Sequence, residues 1–252
     1  MLPITNFPVG KAYDGPIEIS IEQASEDQAC SSGTNGIIVH MYTEDLYLRS
    51  VQACDIDNYC ALMGDEETVK NYASGKPTER AEVEKRVNDW VARWQSGNPF
   101  SALAVFKKTP DSTCQDEPFI GHIIAGSGEC MWYGEPGKYE GYSEMAGLEH
   151  KRYRNAGYAR QAAAALISKA IPEYQQKGYR VNTIFSEERI CKLFPAKKTF
   201  KLLPLNWVTA TAAPDNSASV RLLTGLGFEC KNVMENLNNR TGGVRAFFAL
   251  KV

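Results

Sequence analysis

The segment between residues 100 and 150 most constrains the fold, because three strand-like stretches follow one another there with few residues between them. The stretches are 100–108, 118–133 and 140–150, separated by a polar loop and by the turn "GEPGK". Consecutive strands joined by short connections lie next to each other and pair antiparallel. The series therefore predicts a sheet that is mainly antiparallel.

Helical segments stand on both sides of this series. Residues 79–95 form an amphipathic helix that ends at Gly97, with apolar residues at helical spacing on one face: Val83, Val87, Trp90, Val91 and Trp94. A second helix, 157–177, is rich in alanine and ends at Gly178. Pro172 is expected to kink or restart its last turn, because proline removes one backbone donor.

The other elements are shorter. The sequence predicts further strands at 16–23, within 36–51, at 207–214 and at 244–252. It predicts further helices at 55–72 and 217–226. Residues 181–206 show no clear period and are not assigned. This order predicts an α+β fold in which helices flank a mixed, mainly antiparallel sheet in a single domain.

Composition excludes several classes of protein. The 252 residues carry a net charge of −2, which gives no reason to expect nucleic acid as a partner. No apolar run approaches the roughly 20 residues of a membrane helix, and the first residues do not resemble a secretory signal. The seven cysteines form no CxxC pair and no metal-like cluster with the three histidines. We therefore expect a cytoplasmic protein with reduced thiols, no metal and no membrane contact.

The stretch Arg154–Ala159, "RNAGYA", lies between a predicted strand and the alanine-rich helix. The first turn of a helix leaves backbone N–H groups unpaired and carries a partial positive charge, so it binds phosphate when no side chain blocks the approach. Small residues at 155–157 and the adjacent arginine meet that need. An ordinary strand–loop–helix connection explains the same residues. The dinucleotide and P-loop fingerprints are both absent.

Three blocks in this order resemble the GNAT superfamily of N-acetyltransferases, and more closely its RimJ/RimL-like branch of ribosomal-protein N-terminal acetyltransferases. They are the L-x-L-R start and paired helices at 46–94, the R-x-x-G-x-A loop within 141–166, and the N-x-x-S-x-x-L-L-x-x-L-G-F helix within 210–229. The resemblance covers residues 46–250. It implies a GNAT-type sheet that is splayed between its fourth and fifth strands.

The same resemblance implies a binding site for acetyl-CoA, the acetyl donor of the family. The loop that would cradle the pyrophosphate consists of Arg154, Asn155, Ala156, Gly157, Tyr158 and Ala159. The backbone of Leu148 and Glu149 would pair with the pantetheine arm, and Asn216 would contact the same arm. From the residues alone, Asp215 or Asn216 is also a good N-cap for the helix that follows.

Catalytic residues are less clearly indicated. Relatives often carry a tyrosine acid where this chain has Leu223, whereas a serine-bearing branch of the family matches Ser219. Ser219 is therefore the candidate that hydrogen-bonds the leaving sulfur, and a serine bonded to its own helix is the alternative.

A base must also accept the proton of the attacking amine. Glu144 is the first candidate, and Glu129 and Glu149 are weaker ones. Strand alternation puts Glu144 and Glu149 on opposite faces, and which face meets the cleft is open. Three aromatic residues are candidates for the wall of the acceptor pocket or for the core: Trp132, Tyr142 and Trp207.

The resulting functional hypothesis is an N-acetyltransferase that moves the acetyl group of acetyl-CoA directly to a primary amine. The acceptor is a peptide or protein N-terminus, or alternatively a small amine. A non-catalytic CoA-binding or regulatory protein on the same fold is the other hypothesis. Residues 1–45 form an N-terminal extension, with an added hairpin as one interpretation, and 46–252 form the acetyltransferase domain. The family passes almost directly from the alanine-rich helix into the next strand, so 181–206 is an insertion, either a surface loop or a lid.

Overall fold

The computed structural model describes residues 7–24, 36–109, 117–128, 140–186, 198–235 and 244–252. The strands are β1 Glu18–Gln23, β2 Ile37–Tyr42, β3 Leu46–Ser50, β4 Ala102–Lys107, β5 Phe119–Ser127, β6 Gly141–Glu149, β7 Arg180–Ser186, β8 Lys198–Ala212, β9 Glu229–Glu235 and β10 Val244–Lys251. The helices are α1 Ile56–Gly64, α2 Glu66–Val69, α3 Arg80–Gln95, α4 Tyr158–Ala165, α5 Ile171–Gln176 and α6 Ser217–Gly225. A π-helical stretch, Leu166–Ala170, joins α4 to α5, and Pro172 lies in the first turn of α5.

These strands form one sheet in the order β1-β2-β3-β4-β5-β6-β8-β10-β9, and β7 pairs with β8 off this path. The pairs along this path are antiparallel except β6 with β8, which is parallel. The predicted α+β class and the mainly antiparallel sheet are therefore confirmed. The parallel pair has a consequence for the site, because the carboxyl ends of β6 and β8 lie at the same edge of the sheet.

The sheet separates two hydrophobic clusters. On one face, Ala102, Ala104 and Leu148 pack under α1, α2 and α3. On the other face, alternate residues such as Leu103 and Met145 pack under α4, α5 and α6. Because side chains alternate between the two faces along a strand, the same strand contributes residues to both clusters. This is expected when helices cover both faces of a sheet.

The sheet is splayed between β6 and β8. Their pairing runs only from Gly141 opposite Leu205 to Glu144 opposite Thr209. Beyond this point β6 continues to Glu149 and β8 continues to Ala212 without further pairing between them. The two strands therefore diverge towards their carboxyl ends, which confirms the splay predicted between the fourth and fifth strands.

The region 181–206, which shows no clear period in the sequence, begins and ends in regular structure. Strand β7 pairs antiparallel with the first half of β8, from Arg180 opposite Pro204 to Ser186 opposite Lys198. The hydroxyl of Thr183 accepts a hydrogen bond from the N–H of Tyr142 at 3.0 Å, so β7 also contacts the start of β6. Its status as an insertion relative to the family stays a prediction, as does the division at residue 45.

The segment 7–16 packs against α6. The N–H of Gly10 donates to the hydroxyl of Thr224 at 3.1 Å, and the same hydroxyl donates to the carbonyl of Pro8 at 2.9 Å. A Cβ on Gly10 would stand 1.8 Å from the backbone oxygen of Arg221, so no other residue fits this approach without a backbone shift. The N-terminal extension is thereby fastened to the helix that carries Asn216 and Ser219.

Candidate active site

The loop after β6 presents free backbone donors at the start of a helix. Asn155 and Gly157 take the left-handed conformation, with φ of 66° and 85°, and α4 begins at Tyr158. The first hydrogen bond of this helix runs from the N–H of Gln161 to the carbonyl of Gly157. Within the described part of the chain, the N–H groups of residues 155–160 have no acceptor. They form the type of site that binds an anion, because the helix N-terminus also adds partial positive charge.

Two arginines border this loop. Arg160, in the first turn of α4, folds back so that its Nη2 atom lies 3.6 Å from the position of a Cβ on Gly157. Its Nε atom is buried without a partner among the described residues. Arg154, predicted as a phosphate ligand, donates to the carbonyl of Thr68 at 2.7 Å. Arg160 is not among the predicted site residues, although it directly follows the R-x-x-G-x-A motif in the sequence.

Helix α2 holds the loop in place. The hydroxyl of Thr68 accepts from the N–H of Lys151 at 3.2 Å, and the ammonium group of Lys151 lies 2.9 Å from the carboxylate of Asp65. Hydrogen bonds from Lys151 and Thr68 hold the pKa of Asp65 at about 2, well below its usual value. The loop is therefore anchored by side chains of α2 that no sequence motif indicated.

Gln161 anchors the start of α4 to the turn between β2 and β3. Its buried side-chain oxygen accepts from the hydroxyl of Thr43 at 2.7 Å and from the N–H of Asp45 at 3.2 Å. Its amide nitrogen donates to the carboxylate of Asp45 at 2.6 Å. The four alanines that follow, residues 162–165, are buried against the sheet and allow the helix to approach it closely.

We expect the substitution Gln161→Met to cost about 2–4 kcal/mol of unfolding free energy, because buried donors and acceptors lose their partner while the side-chain volume is kept. Urea denaturation measures this loss. Gln176→Met is the matched control, since Gln176 is exposed on α5 and its replacement should change stability by less than about 0.5 kcal/mol. Equal stability of the two variants would contradict the anchoring role.

The helix α6 and its cap, which follow β8 on the other side of the gap from β6, carry the predicted residues Asn216 and Ser219. Asn216 caps α6, and its side-chain oxygen accepts from the N–H of Ser219 at 3.2 Å. Of the two cap candidates, Asn216 is thus the one used. Ser219 is half-buried, and its role as hydrogen-bond donor to the leaving sulfur stays a prediction. Leu223, on the same helix, is buried in the core.

Glu144 and Glu149 lie at different places in the cleft. Glu144 is the last residue of β6 that pairs with β8, at the vertex of the splay. Alternation puts it on the face of Leu148, beneath α1–α3, whereas Glu149 shares the other face with Met145. The two residues are five positions apart on the extended strand, which corresponds to about 16 Å. Glu149 therefore belongs to the loop end of the cleft and Glu144 to its closed end.

Two further side chains lie on the Glu144 face and were missed from the sequence. The hydroxyl of Tyr72 lies 3.0 Å from Nε2 of His122, which is buried between β5 and α3. Burial lowers the pKa of His122 to about 3, so the imidazole is neutral. Burial raises the pKa of Tyr72 to about 12, with the charge of Glu144 as a smaller contribution in the same direction. Tyr72 and Glu144 thus lie within electrostatic reach of each other.

The remaining candidates divide into two groups. Glu129 and Trp132 lie outside the described residues. Tyr142 is fully buried, and both its hydroxyl and the indole N–H of Trp207 donate to the carboxylate of Glu140, at 3.3 and 3.0 Å. These two aromatics therefore lie side by side on β6 and β8 near the vertex, with their polar atoms occupied.

Neither a metal site nor a membrane span is found in the described segments. Among those residues, no three His, Cys, Asp or Glu side chains form a group that could hold a metal ion. No described helix has the length and apolar character needed to cross a membrane.

The sheet is splayed between β6 and β8, with unpaired backbone donors after β6 and a capped helix after β8, as the resemblance to acetyltransferases predicts. The family model described as "Acetyltransferase (GNAT) domain" matches residues 45–229, well over half of the chain. The chain belongs to this family, and it is an N-acetyltransferase. The resemblance drawn from the three sequence blocks is therefore confirmed at the level of the superfamily.

Solved structures share the fold at low sequence identity. The ribosomal-protein-S5-alanine acetyltransferase from Vibrio fischeri is 12% identical, with a TM-score of 0.56 over 84% of this chain and 96% of that one. The acetyltransferase from Salmonella typhimurium that modifies the N-terminal serine of 50S ribosomal subunit protein L7/L12 is 14% identical, with a TM-score of 0.52 over 83% and 96%. The microcin C7 self-immunity acetyltransferase MccE, in complex with acetyl-CoA and AMP, is 12% identical, with a TM-score of 0.53 over 83% and 93%. These neighbours share the fold of this chain. No curated protein matches the chain.

Proposed function

We propose that this N-acetyltransferase uses acetyl-CoA and transfers the acetyl group directly to a primary amine, with the N-terminus of a peptide or protein as the acceptor. The observation that carries the proposal is the splay between β6 and β8, with free backbone donors at 155–160 at its open end and a carboxylate, Glu144, at its vertex. These two features stand at opposite ends of one cleft, as transfer from an extended thioester to an amine requires.

The residues of the cleft fit acetyl-CoA. The backbone of Asn155, Ala156, Gly157, Tyr158 and Ala159 would hold the pyrophosphate, with Arg154 and the unpaired guanidinium of Arg160 beside it. The edge of β6 at Leu148 and Glu149, which β8 leaves unpaired, would hydrogen-bond the pantetheine amides, and Asn216 would contact the same arm from the other wall. When bound, acetyl-CoA supplies an activated acetyl group.

The chain's own groups would then handle the proton of the attacking amine. Glu144 accepts this proton, directly or through water, because only the neutral amine is a nucleophile. Ser219, at the opposite wall, donates a hydrogen bond to the leaving sulfur. The partial exposure of both side chains is consistent with access from the cleft.

The proposal of a peptide or protein N-terminus as the acceptor is drawn from two structural neighbours and from the position of Glu144 in the cleft. Two neighbours are acetyltransferases named for the alanine or the N-terminal serine of ribosomal proteins. A small amine is the alternative acceptor. Assays with peptides that begin with serine or alanine, run beside assays with small amines, distinguish the two classes of acceptor. The same peptides with a blocked N-terminal amine are the controls.

The proposal is tested by thermal shift and isothermal calorimetry with CoA and acetyl-CoA, followed by thiol release with the peptide panel. We expect binding of both CoA and acetyl-CoA, and acetylation of at least one free N-terminus or small amine. Absence of binding would overturn the site. Binding without transfer to any amine would support the other hypothesis, a non-catalytic CoA-binding or regulatory protein.

We also propose a cytoplasmic protein with reduced thiols and no resident metal. Cys54, Cys60 and Cys230, the cysteines of the described segments, are free thiols. Thiol titration of the unfolded, non-reduced protein should count seven free cysteines. A lower count would contradict the proposed compartment.

A further inference from the structure

The carboxyl group of Glu149 stands out among the titratable groups at the loop end of the cleft. Its Oε1 atom is buried and has no hydrogen-bond partner among the described residues. Arg154 is the cation whose charge acts on Glu149. Its guanidinium donates a hydrogen bond to the carbonyl of Thr68. A buried carboxylate oxygen without a donor is costly, whereas the neutral acid carries a proton that it can offer to an acceptor.

The surroundings explain the preference for the neutral form. Elements that pack around the end of β6 carry these charged or titratable groups: His122 on β5, Asp65, Glu66 and Glu67 at α2, Tyr158 and Arg160 on α4, and His150, Lys151, Arg152, Tyr153 and Arg154 in the loop. Of these, Arg154 acts on Glu149 and lowers its pKa, but burial raises it by more, and the resulting pKa is about 7. Lys151 is already paired with Asp65.

An anion in the loop shifts this balance further. The charge of Arg154, at the start of the segment 154–159, already acts on Glu149, so the charge of a pyrophosphate bound in this loop would act on the same poorly solvated carboxyl group. Like charges in a site of low dielectric constant favour protonation of the titratable group. The anion therefore binds more tightly to the protein whose Glu149 is protonated, and by linkage it raises the affinity of Glu149 for a proton.

We propose that Glu149 binds the cofactor as a neutral carboxylic acid, so that cofactor binding takes up one proton from solvent at this side chain. The proton stays on the Glu149 oxygen and is donated as a hydrogen bond to an oxygen of the bound cofactor. This inference rests on the proposed function, because it needs the loop at 154–159 to hold the pyrophosphate. It assigns Glu149 to binding, in contrast to Glu144, whose proton moves during transfer.

Isothermal calorimetry with dephospho-CoA tests this inference. The probe lacks the 3′-phosphate, a monoester that titrates near neutral pH. Repeating the titration at pH 7 in buffers of different ionisation enthalpy gives the protons taken up. We expect about half a proton per bound dephospho-CoA at pH 7, and an affinity that falls about tenfold from pH 6 to pH 8 as Glu149 ionises in the free protein.

Two substitutions separate a binding acid from a structural one. Glu149→Gln keeps a donor and removes the titration, so its affinity should lose the pH dependence and exceed that of the unmodified protein about tenfold at pH 8. Glu149→Leu should bind weakly at every pH. Proton uptake that persists in Glu149→Gln, or its absence from the unmodified protein, overturns the inference. Failure of the unmodified protein to bind at any pH overturns the proposed function instead. Absence of proton uptake by the unmodified protein overturns the inference even if neither variant folds.

Discussion

The double substitution Arg154→Glu with Gly157→Val should lower the affinity for CoA by about 100-fold or more, which corresponds to at least about 2.8 kcal/mol. Gly157 has φ of 85°, a conformation that valine adopts only at a cost, and its side chain would lie in contact with the guanidinium of Arg160. The glutamate at 154 would add a negative charge where the pyrophosphate is expected. Isothermal calorimetry with CoA measures the loss.

A matched pair of substitutions at the other end of the same helical segment controls for backbone strain and charge. Gly178 also has a positive φ, 74°, and a Cβ there would meet no atom within 4 Å. Lys177 beside it is exposed. Lys177→Glu with Gly178→Val should therefore bind CoA as the unmodified protein does. Circular dichroism checks that both double variants are folded, and equal affinity of the two would refute the phosphate assignment.

The second large effect is expected for Glu144→Gln, which should lower kcat by about 10²–10⁴-fold because the amide cannot accept the proton of the amine. The assay is thiol release from acetyl-CoA with the best acceptor of the peptide panel. Affinity for CoA should stay within about twofold, since Glu144 is at the vertex, away from the loop. The loss in kcat should shrink at high pH, where the acceptor amine deprotonates without help.

Glu79→Gln is the control for this experiment. Glu79 is an exposed glutamate at the start of α3, far along the chain from β6, and its replacement should leave kcat unchanged. An unchanged kcat for Glu144→Gln would remove Glu144 from the mechanism. A parallel fall in kcat and CoA affinity would assign it to binding of the donor.

Local sequence signals sufficed for much of the architecture. The hydrophobic period at 79–95 placed α3, and the strand series at 100–150 placed β4, β5 and β6. The asparagine that begins "NSASV" caps α6 through a contact between neighbours in the chain, which is why the sequence indicated it. The glycine at 157 was informative for the same reason, since a left-handed turn is a property of one residue.

The sequence failed where a role depends on contacts between distant segments. Thr68 and Asp65 hold the loop from another helix, and Gln161 reaches a turn more than one hundred residues earlier. No local pattern distinguishes these side chains from ordinary polar residues on helices. Residues 181–206 carry no clear period, yet this region begins in β7 and ends in β8. The pairing of these two strands stabilises segments whose sequence pattern is weak by itself.

By itself the sequence determined the family, the strand–loop–helix at 141–166, and the set of carboxylates that are candidates for the base. Only the tertiary structure showed where Glu144 and Glu149 lie relative to the end of the pairing between β6 and β8. The parallel pairing of β6 with β8 stops at Glu144 and leaves Glu149 beside the loop, so one lies at the vertex and the other at the mouth of the same cleft. The physical reason is that strand alternation fixes only which residues share a face, whereas burial, partners and the end of pairing depend on the strands and helices packed around them.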